Sequence, residues 1–309
     1  MYLSEDQVAN VLTYEALIPA IRQALMDYSA GRVEQPPRSI LRVKDEAGTL
    51  SGWFAVMPAI AGGFMGVKTV TFFPGNVTKG IHTHMATIEL LSRATGEPLL
   101  LMDGRLITEM RTAAVSAVAV ETLARPHTKT LGILGSGVQA RSHIAALRQV
   151  WPAFREPGSI RIWGRSAEKA AALAEELGAQ ATAIEEAAAS DVVVTVTNAT
   201  EPMLMGKWLA PESLVVGVGA TGAALRELDD EVMGGLLIAE SRQGVERESG
   251  DAILSGAKVF AEIGEVLAEQ VELPKEGRRV FKSVGMAIED VTAARLVWEA
   301  LGPPATTAH

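Results

Sequence analysis

Two hydrophobic rhythms divide the chain. From about residue 130 onward, short apolar runs at 131–134, 160–163, 191–196, 214–218 and 236–239 alternate with stretches of helical spacing, among them 138–150 and 167–177. Such alternation predicts a doubly wound parallel sheet, because parallel neighbours need a crossover helix. The earlier region differs. Ser4-Glu5-Asp6-Gln7 has the form of a capping box, and 14–28 repeats its apolar residues at helical spacing, before Gly31 and Pro36-Pro37 close the segment. From 38 to about 101 the segments SILRV, GWFAVMPAI, FMGVKTVTFF and PLLLM read as short strands separated by Gly, Pro and Asn. A small-residue helix at about 108–124 would link the two regions. VFKSVGMAIED then leads to a final helix at about 290–301 that can pack back on the first region, and the tail 302–309 has little to bury.

Within the second rhythm, Leu131 to Leu134 runs into Gly135-Ser136-Gly137-Val138-Gln139-Ala140. Gly135 permits a tight turn, Gly137 lets backbone N–H groups approach a pyrophosphate, and the small Ala140 lets helix and strand pack closely. A strand before it, a helix after it and a second strand beyond are the context this dinucleotide motif requires. The fold class expected is therefore α/β, with a central Rossmann-type doubly wound domain at 114–287 and a discontinuous α+β domain at 1–113 and 288–309. The second strand ends in Gly164-Arg165-Ser166, with Lys169 one turn on, and Arg165 lies 25 residues past Ala140. An acid near this place would serve the bare ribose of NAD. A guanidinium and a hydroxyl suit a 2′-phosphate, so NADP(H) is the cofactor expected. Thr197 and Gly219 complete the expected cofactor contacts.

Composition narrows the partners. A net charge of −9 disfavours nucleic acid and acidic membranes, and no 18-residue apolar run or secretory leader is evident, so a cytoplasmic protein is expected. The chain has no cysteine, which removes disulfides, thiolate nucleophiles and sulfur-ligated zinc. Of its five histidines only His82 and His84 are close, and without a third ligand they read as a polar loop; no metal is expected. Strands such as 53–60 have no evident covering layer, which predicts a dimer.

A nucleotide domain joined to a second domain predicts a substrate cleft facing the carboxyl ends of the parallel strands. Arg38, Lys68 and Arg111 are the candidate substrate groups: Lys68 interrupts an apolar strand, and Arg111 precedes the small-residue stretch that begins at Thr112. Gly66-Val67-Lys68, Phe73-Pro74-Gly75-Asn76, Thr83-His84, Met102-Asp103-Gly104, Arg111-Thr112-Ala113-Ala114, the glycine motif, Arg226-Glu227-Leu228-Asp229 and Phe281-Lys282-Ser283-Val284-Gly285 occur in this order. Together they resemble the ornithine cyclodeaminase and mu-crystallin family nearly end to end. The resemblance implies a homodimer with a dimerising substrate domain, and chemistry on imines of α-keto acids. It assigns Arg38 and Arg111 to the substrate carboxylate, Lys68 to the active-site lysine, Thr83 to the pocket lining and Val284 to an apolar pocket position.

Two departures refine the expectation. Where cyclodeaminases of the family carry an aspartate, this chain has Gly219-Ala220-Thr221-Gly222, and Thr221 resembles the small hydroxyl residue of the ketimine reductases. Met85 stands where a glutamine is expected. The reading is NADPH-dependent reduction of a cyclic or N-substituted imino acid to a proline- or pipecolate-like product. The alternatives are an ornithine cyclodeaminase, with Glu227 or Asp229 replacing the missing acid, an alanine dehydrogenase, or a protein that chiefly binds NADPH and a small ligand.

Overall fold

The computed structural model describes residues 2–302, so the tail from 303 lies outside the described residues. In chain order the elements are β1 (Tyr2–Leu3), α1 (Glu5–Ala9), α2 (Tyr14–Ser29), β2 (Ser39–Lys44), β3 (Leu50–Ala61), β4 (Phe64–Phe72), β5 (His84–Ser92), β6 (Pro98–Asp103) and α3 (Arg105–Leu123). Then come β7 (Leu131–Leu134), α4 (Val138–Val150), β8 (Ile160–Trp163), α5 (Ala167–Leu177), β9 (Gln180–Ala181), α6 (Ile184–Ala188), β10 (Val192–Thr195) and β11 (Leu214–Gly217). The last are α7 (Asp230–Met233), β12 (Leu236–Ala239), α8 (Arg242–Glu248), α9 (Gly250–Ser255), β13 (Ala261–Glu262), α10 (Ile263–Leu267), β14 (Arg279–Lys282) and α11 (Ala287–Leu301). The chain divides into two compact units, Met1–Arg111 with Met286–His309, and Thr112–Gly285.

The first unit is built on a six-stranded sheet ordered β1-β6-β5-β4-β3-β2, antiparallel except for the β1–β6 pair. Its register sets Met57, Lys68, Ile88 and Met102 in one row across the sheet, with Ala59, Gly66, Leu90 and Leu100 in the next such row. Helix α11 covers this face and packs on α2. Close approach requires Gly66: a Cβ there would lie 2.6 Å from the Glu89 carbonyl oxygen and 3.1 Å from Val291 of α11. The strands 53–60 therefore do have a second layer on one side, against expectation. Ala55, Met57 and Ala59 are buried, while the alternate Phe54, Val56, Pro58 and Ile60 are half-buried.

The second unit is an all-parallel eight-stranded sheet ordered β13-β12-β14-β11-β10-β7-β8-β9. The chain runs outward from β7 through β8 to β9 and returns to β10 beside β7, which makes the crevice beyond these two strands a topological switch point. Val192, Val193 and Val194 of β10 are buried on both faces, as parallel strands require, and each such side chain contributes roughly 1.5–3 kcal/mol.

Four elements differ from the sequence reading. Strand β5 begins at His84, where a polar loop is expected. Residues 279–282, taken as the approach to the last helix, instead form an interior strand between β11 and β12. Only four residues long and charged at both ends, β14 carries no periodicity of its own; it is held by its neighbours. Helices α3 and α11 start about three residues early. The Asp103 carboxylate accepts from the Arg105 N–H at 2.8 Å, which starts α3 there and places Arg111 inside the helix.

Candidate functional site

In the second unit the strand β7 runs into Gly135, whose φ is +138° and whose N–H donates to the Trp163 carbonyl at 2.8 Å. A Cβ would sit 2.8 Å from the Val196 carbonyl oxygen, so glycine is required. Gly137 caps α4 without a side-chain hydrogen bond, and Val138 is exposed at the first helical position. The first-turn N–H groups and the positive end of the helix dipole thus suit an anion. Ser136 is half-buried beside the buried Gly164, Ala140 is buried, and the Gln139 carbonyl accepts from His143 Nδ1 at 2.7 Å. Buried His143 also meets the Ser116 hydroxyl at 2.9 Å, and burial pushes its pKa down to about 4. At the end of β8, Arg165 is exposed, the Ser166 hydroxyl accepts from the Lys169 N–H at 3.3 Å as the cap of α5, and Lys169 is exposed.

Behind the carboxyl ends of β10, β11 and β14 lies a buried charged network. Glu227 Oε1 accepts from the Thr197 N–H at 2.6 Å and hydroxyl at 2.7 Å, and Oε2 accepts from Thr195. Burial pushes the Glu227 carboxyl up, opposed by Lys282 and the threonines. Lys282 pairs with Asp251 at 3.0 Å and donates to the Gly219 carbonyl at 2.8 Å; Asp251 accepts from the N–H groups of Glu227 and Leu228. Thr197 and Gly219 are thereby held by buried groups. Asp229 caps α7 and accepts from the Gly206 N–H. Both acids are engaged in hydrogen bonds of the local structure. Thr221 is exposed, following Ala220 at φ +54°. Val284 is buried against Gly244, and its N–H donates to Glu240 at 3.0 Å.

The first unit brings Lys68, Arg111 and Arg38 together around two acids that the sequence reading missed. Lys68, 2% exposed, lies 2.7 Å from Asp290 Oδ2. Arg111 donates through Nε to Asp290 Oδ1 at 3.2 Å and through Nη1 to Glu289 Oε2 at 2.7 Å. Burial lowers the Lys68 pKa to about 8; Asp290 opposes this, and the charges of Arg111 and Arg38 add to it. Arg38 is half-buried just ahead of β2. Thr83 is half-buried, its hydroxyl 3.3 Å from His84 Nδ1. The His84 ring lies against Phe72 with centroids 4.4 Å apart, and Phe72 stacks on Trp53 at 5.6 Å. Loss of water and then the Lys68 charge hold His84 below its ordinary pKa. Among the described residues no group of three or more potential ligands could hold a metal, and no helix is long and apolar enough to cross a membrane. The signal for Glu289 and Asp290 was an adjacent acidic pair in an otherwise apolar helix start, a place where charge is usually exposed.

The chain resembles known proteins over nearly its whole length. Residues 1–302 match the ornithine cyclodeaminase/mu-crystallin family. The ketimine reductase mu-crystallin of Rattus norvegicus is 40% identical over 309 residues, covering 96% of each chain. The Thermococcus litoralis Δ1-pyrroline-2-carboxylate reductase, solved with NADH and L-proline, superposes with a TM-score of 0.87 at 31% identity over 97% of each chain. An archaeal alanine dehydrogenase dimer with bound NAD gives a TM-score of 0.90 at 29% identity, over 97% of this chain and 95% of its own.

Proposed function

Because the chain belongs to the ornithine cyclodeaminase/mu-crystallin family, we propose that it is an NADPH-dependent reductase of cyclic or N-substituted imino acids of the pyrroline-2-carboxylate or piperideine-2-carboxylate type. The observation that carries the reading is the buried cluster of the first unit. Lys68 and Arg111 share the Asp290 carboxylate, and the charge of Arg38 reaches Lys68, a gathering of cations that suits a substrate carboxylate. Arg38 and Arg111 orient that carboxylate. Lys68, still protonated at neutral pH but close to giving up its proton, donates to the imine nitrogen, since an iminium accepts hydride more readily than an imine. Bound NADPH supplies the hydride. The Gly135 turn and the uncapped start of α4 suit its pyrophosphate, and Arg165, Ser166 and Lys169 suit its 2′-phosphate.

Thr221 supports reduction over cyclodeamination. A hydroxyl cannot hold the negative charge that steadies a cationic amine during oxidation, and Glu227 and Asp229 are occupied elsewhere. The half-buried apolar row Phe54, Val56, Pro58 and Ile60 supports a homodimer. The test follows loss of reduced-cofactor absorbance with pyrroline-2-carboxylate and piperideine-2-carboxylate, beside ammonia release from L-ornithine and from L-alanine with NAD or NADP. Imine reduction with little ammonia release is expected. Vigorous ammonia release without imine reduction would overturn the reading.

A further inference from the structure

We propose that Asp290 is a positioning residue that fixes Lys68 and Arg111 to one another, so that proton donor and carboxylate clamp meet the substrate as a preset pair. Its carboxylate divides its oxygens between them, Oδ2 to Lys68 Nζ at 2.7 Å and Oδ1 to Arg111 Nε at 3.2 Å. The inference rests on the imine-reductase reading for the reaction, while the bridging geometry stands by itself.

The backbone that carries Asp290 is pinned on both sides. The next residue, Val291, packs where Gly66 leaves room, two positions before Lys68 on β4. Two residues earlier, the Ile288 N–H donates to the Gln35 side chain at 2.9 Å, three positions before Arg38. The start of α11 is thus tied to the strand that carries Lys68 and to the segment that carries Arg38. Position in the first helical turn also favours a carboxylate through the helix dipole. Glu289 takes the Nη1 side of Arg111, so the guanidinium is held at two points and its plane is set.

The groups facing Lys68 are Asp290 from α11, Arg111 from α3, Arg38 ahead of β2 and His84 from β5. Of these, Asp290 is the one that favours the ammonium form. Without it, burial and two guanidinium groups would drive the proton off Lys68 at lower pH and remove the contact that orients Nζ.

The test titrates Lys68 directly in the substrate-free protein, by the pH dependence of its acylation with acetic anhydride read by mass spectrometry, beside the pH profile of imine reduction. Asp290→Asn is expected to move the Lys68 midpoint down by about one pH unit or more and to carry the basic limb of kcat/KM with it. Asp290→Glu, which keeps the carboxylate, should return both towards the parent values. Glu289→Gln, which removes the 2.7 Å contact to Arg111 Nη1 and leaves the Lys68–Asp290 pair in place, should raise KM and move the Lys68 midpoint less than Asp290→Asn does. A midpoint unchanged by Asp290→Asn, or moved equally by Glu289→Gln, overturns the proposal. Should Asp290→Asn not fold, the parent protein labelled at its aspartate carboxyl carbons gives the same decision: a resonance that steps at the Lys68 midpoint supports the bridge, and none overturns it. If the parent protein reduces no imine while the midpoint still moves in Asp290→Asn, the functional reading fails and the positioning role stands.

Discussion

Each unit buries a lysine against an aspartate, and the two pairs have opposite surroundings. Lys282 meets Asp251 at 3.0 Å and a backbone carbonyl at 2.8 Å, and Asp251 in turn accepts two backbone N–H groups, so every partner is part of the fold. Lys68 meets Asp290 at 2.7 Å but also faces the positive charges of Arg111 and Arg38, which push its proton towards release. The lesson is that burial of a charge does not by itself mark chemistry. A buried lysine surrounded by acceptors fixes loops, whereas one surrounded by further cations is arranged to take an anion and give up a proton.

Five experiments break or sharpen that contrast. The largest effect is expected for Lys68→Met, which should lower kcat for imine reduction by about 10²–10⁴-fold while leaving NADPH binding in place, measured by steady-state kinetics and cofactor titration. In the parent protein, activity should fall as pH rises through about 8, because the proton that Lys68 donates in the proposed reaction is then lost. Lys282→Met should instead act on stability, costing about 3–5 kcal/mol in denaturant unfolding, since it strands the buried Asp251 charge. Equal catalytic losses without destabilisation would erase the distinction between the two lysines.

His143 extends the comparison to a buried group kept neutral. Its pKa is lowered from 6.5 to about 4, so its contribution is complete above 6.5 and is lost as pH falls towards 4. That contribution amounts to about 3 kcal/mol, and His143→Gln should flatten the acid limb of a stability–pH curve. An unchanged acid limb would mean that other groups carry it. The smallest effect concerns an exposed charge. Arg165→Ala should weaken NADPH by about tenfold or more and leave NADH nearly untouched in binding titrations; equal losses would refute the 2′-phosphate assignment.

Much of the second unit was legible from the chain because its signals are local. A four-residue apolar strand, a glycine turn and an amphipathic helix each announce themselves within a dozen residues, and β7, α4, β8 and α5 lie where their patterns placed them. Strand β14 was not legible, because what makes Arg279–Lys282 a strand is the pair of neighbours it enters between. In the first unit, residue type singled out Lys68 as a cation in an apolar run, and likeness to a family added roles for Arg38 and Arg111.

Sequence by itself determined the two rhythms, the nucleotide turn and the odd cation of β4, since periodicity and steric rules act between near neighbours. Only the tertiary structure decided what Lys68 and Arg111 face. Asp290 lies more than two hundred residues from Lys68 along the chain, and the two meet because Gly66 lets α11 settle onto the sheet. Electrostatic environment depends on distance in space and on exclusion of water, and neither is written in the spacing of residues along a chain.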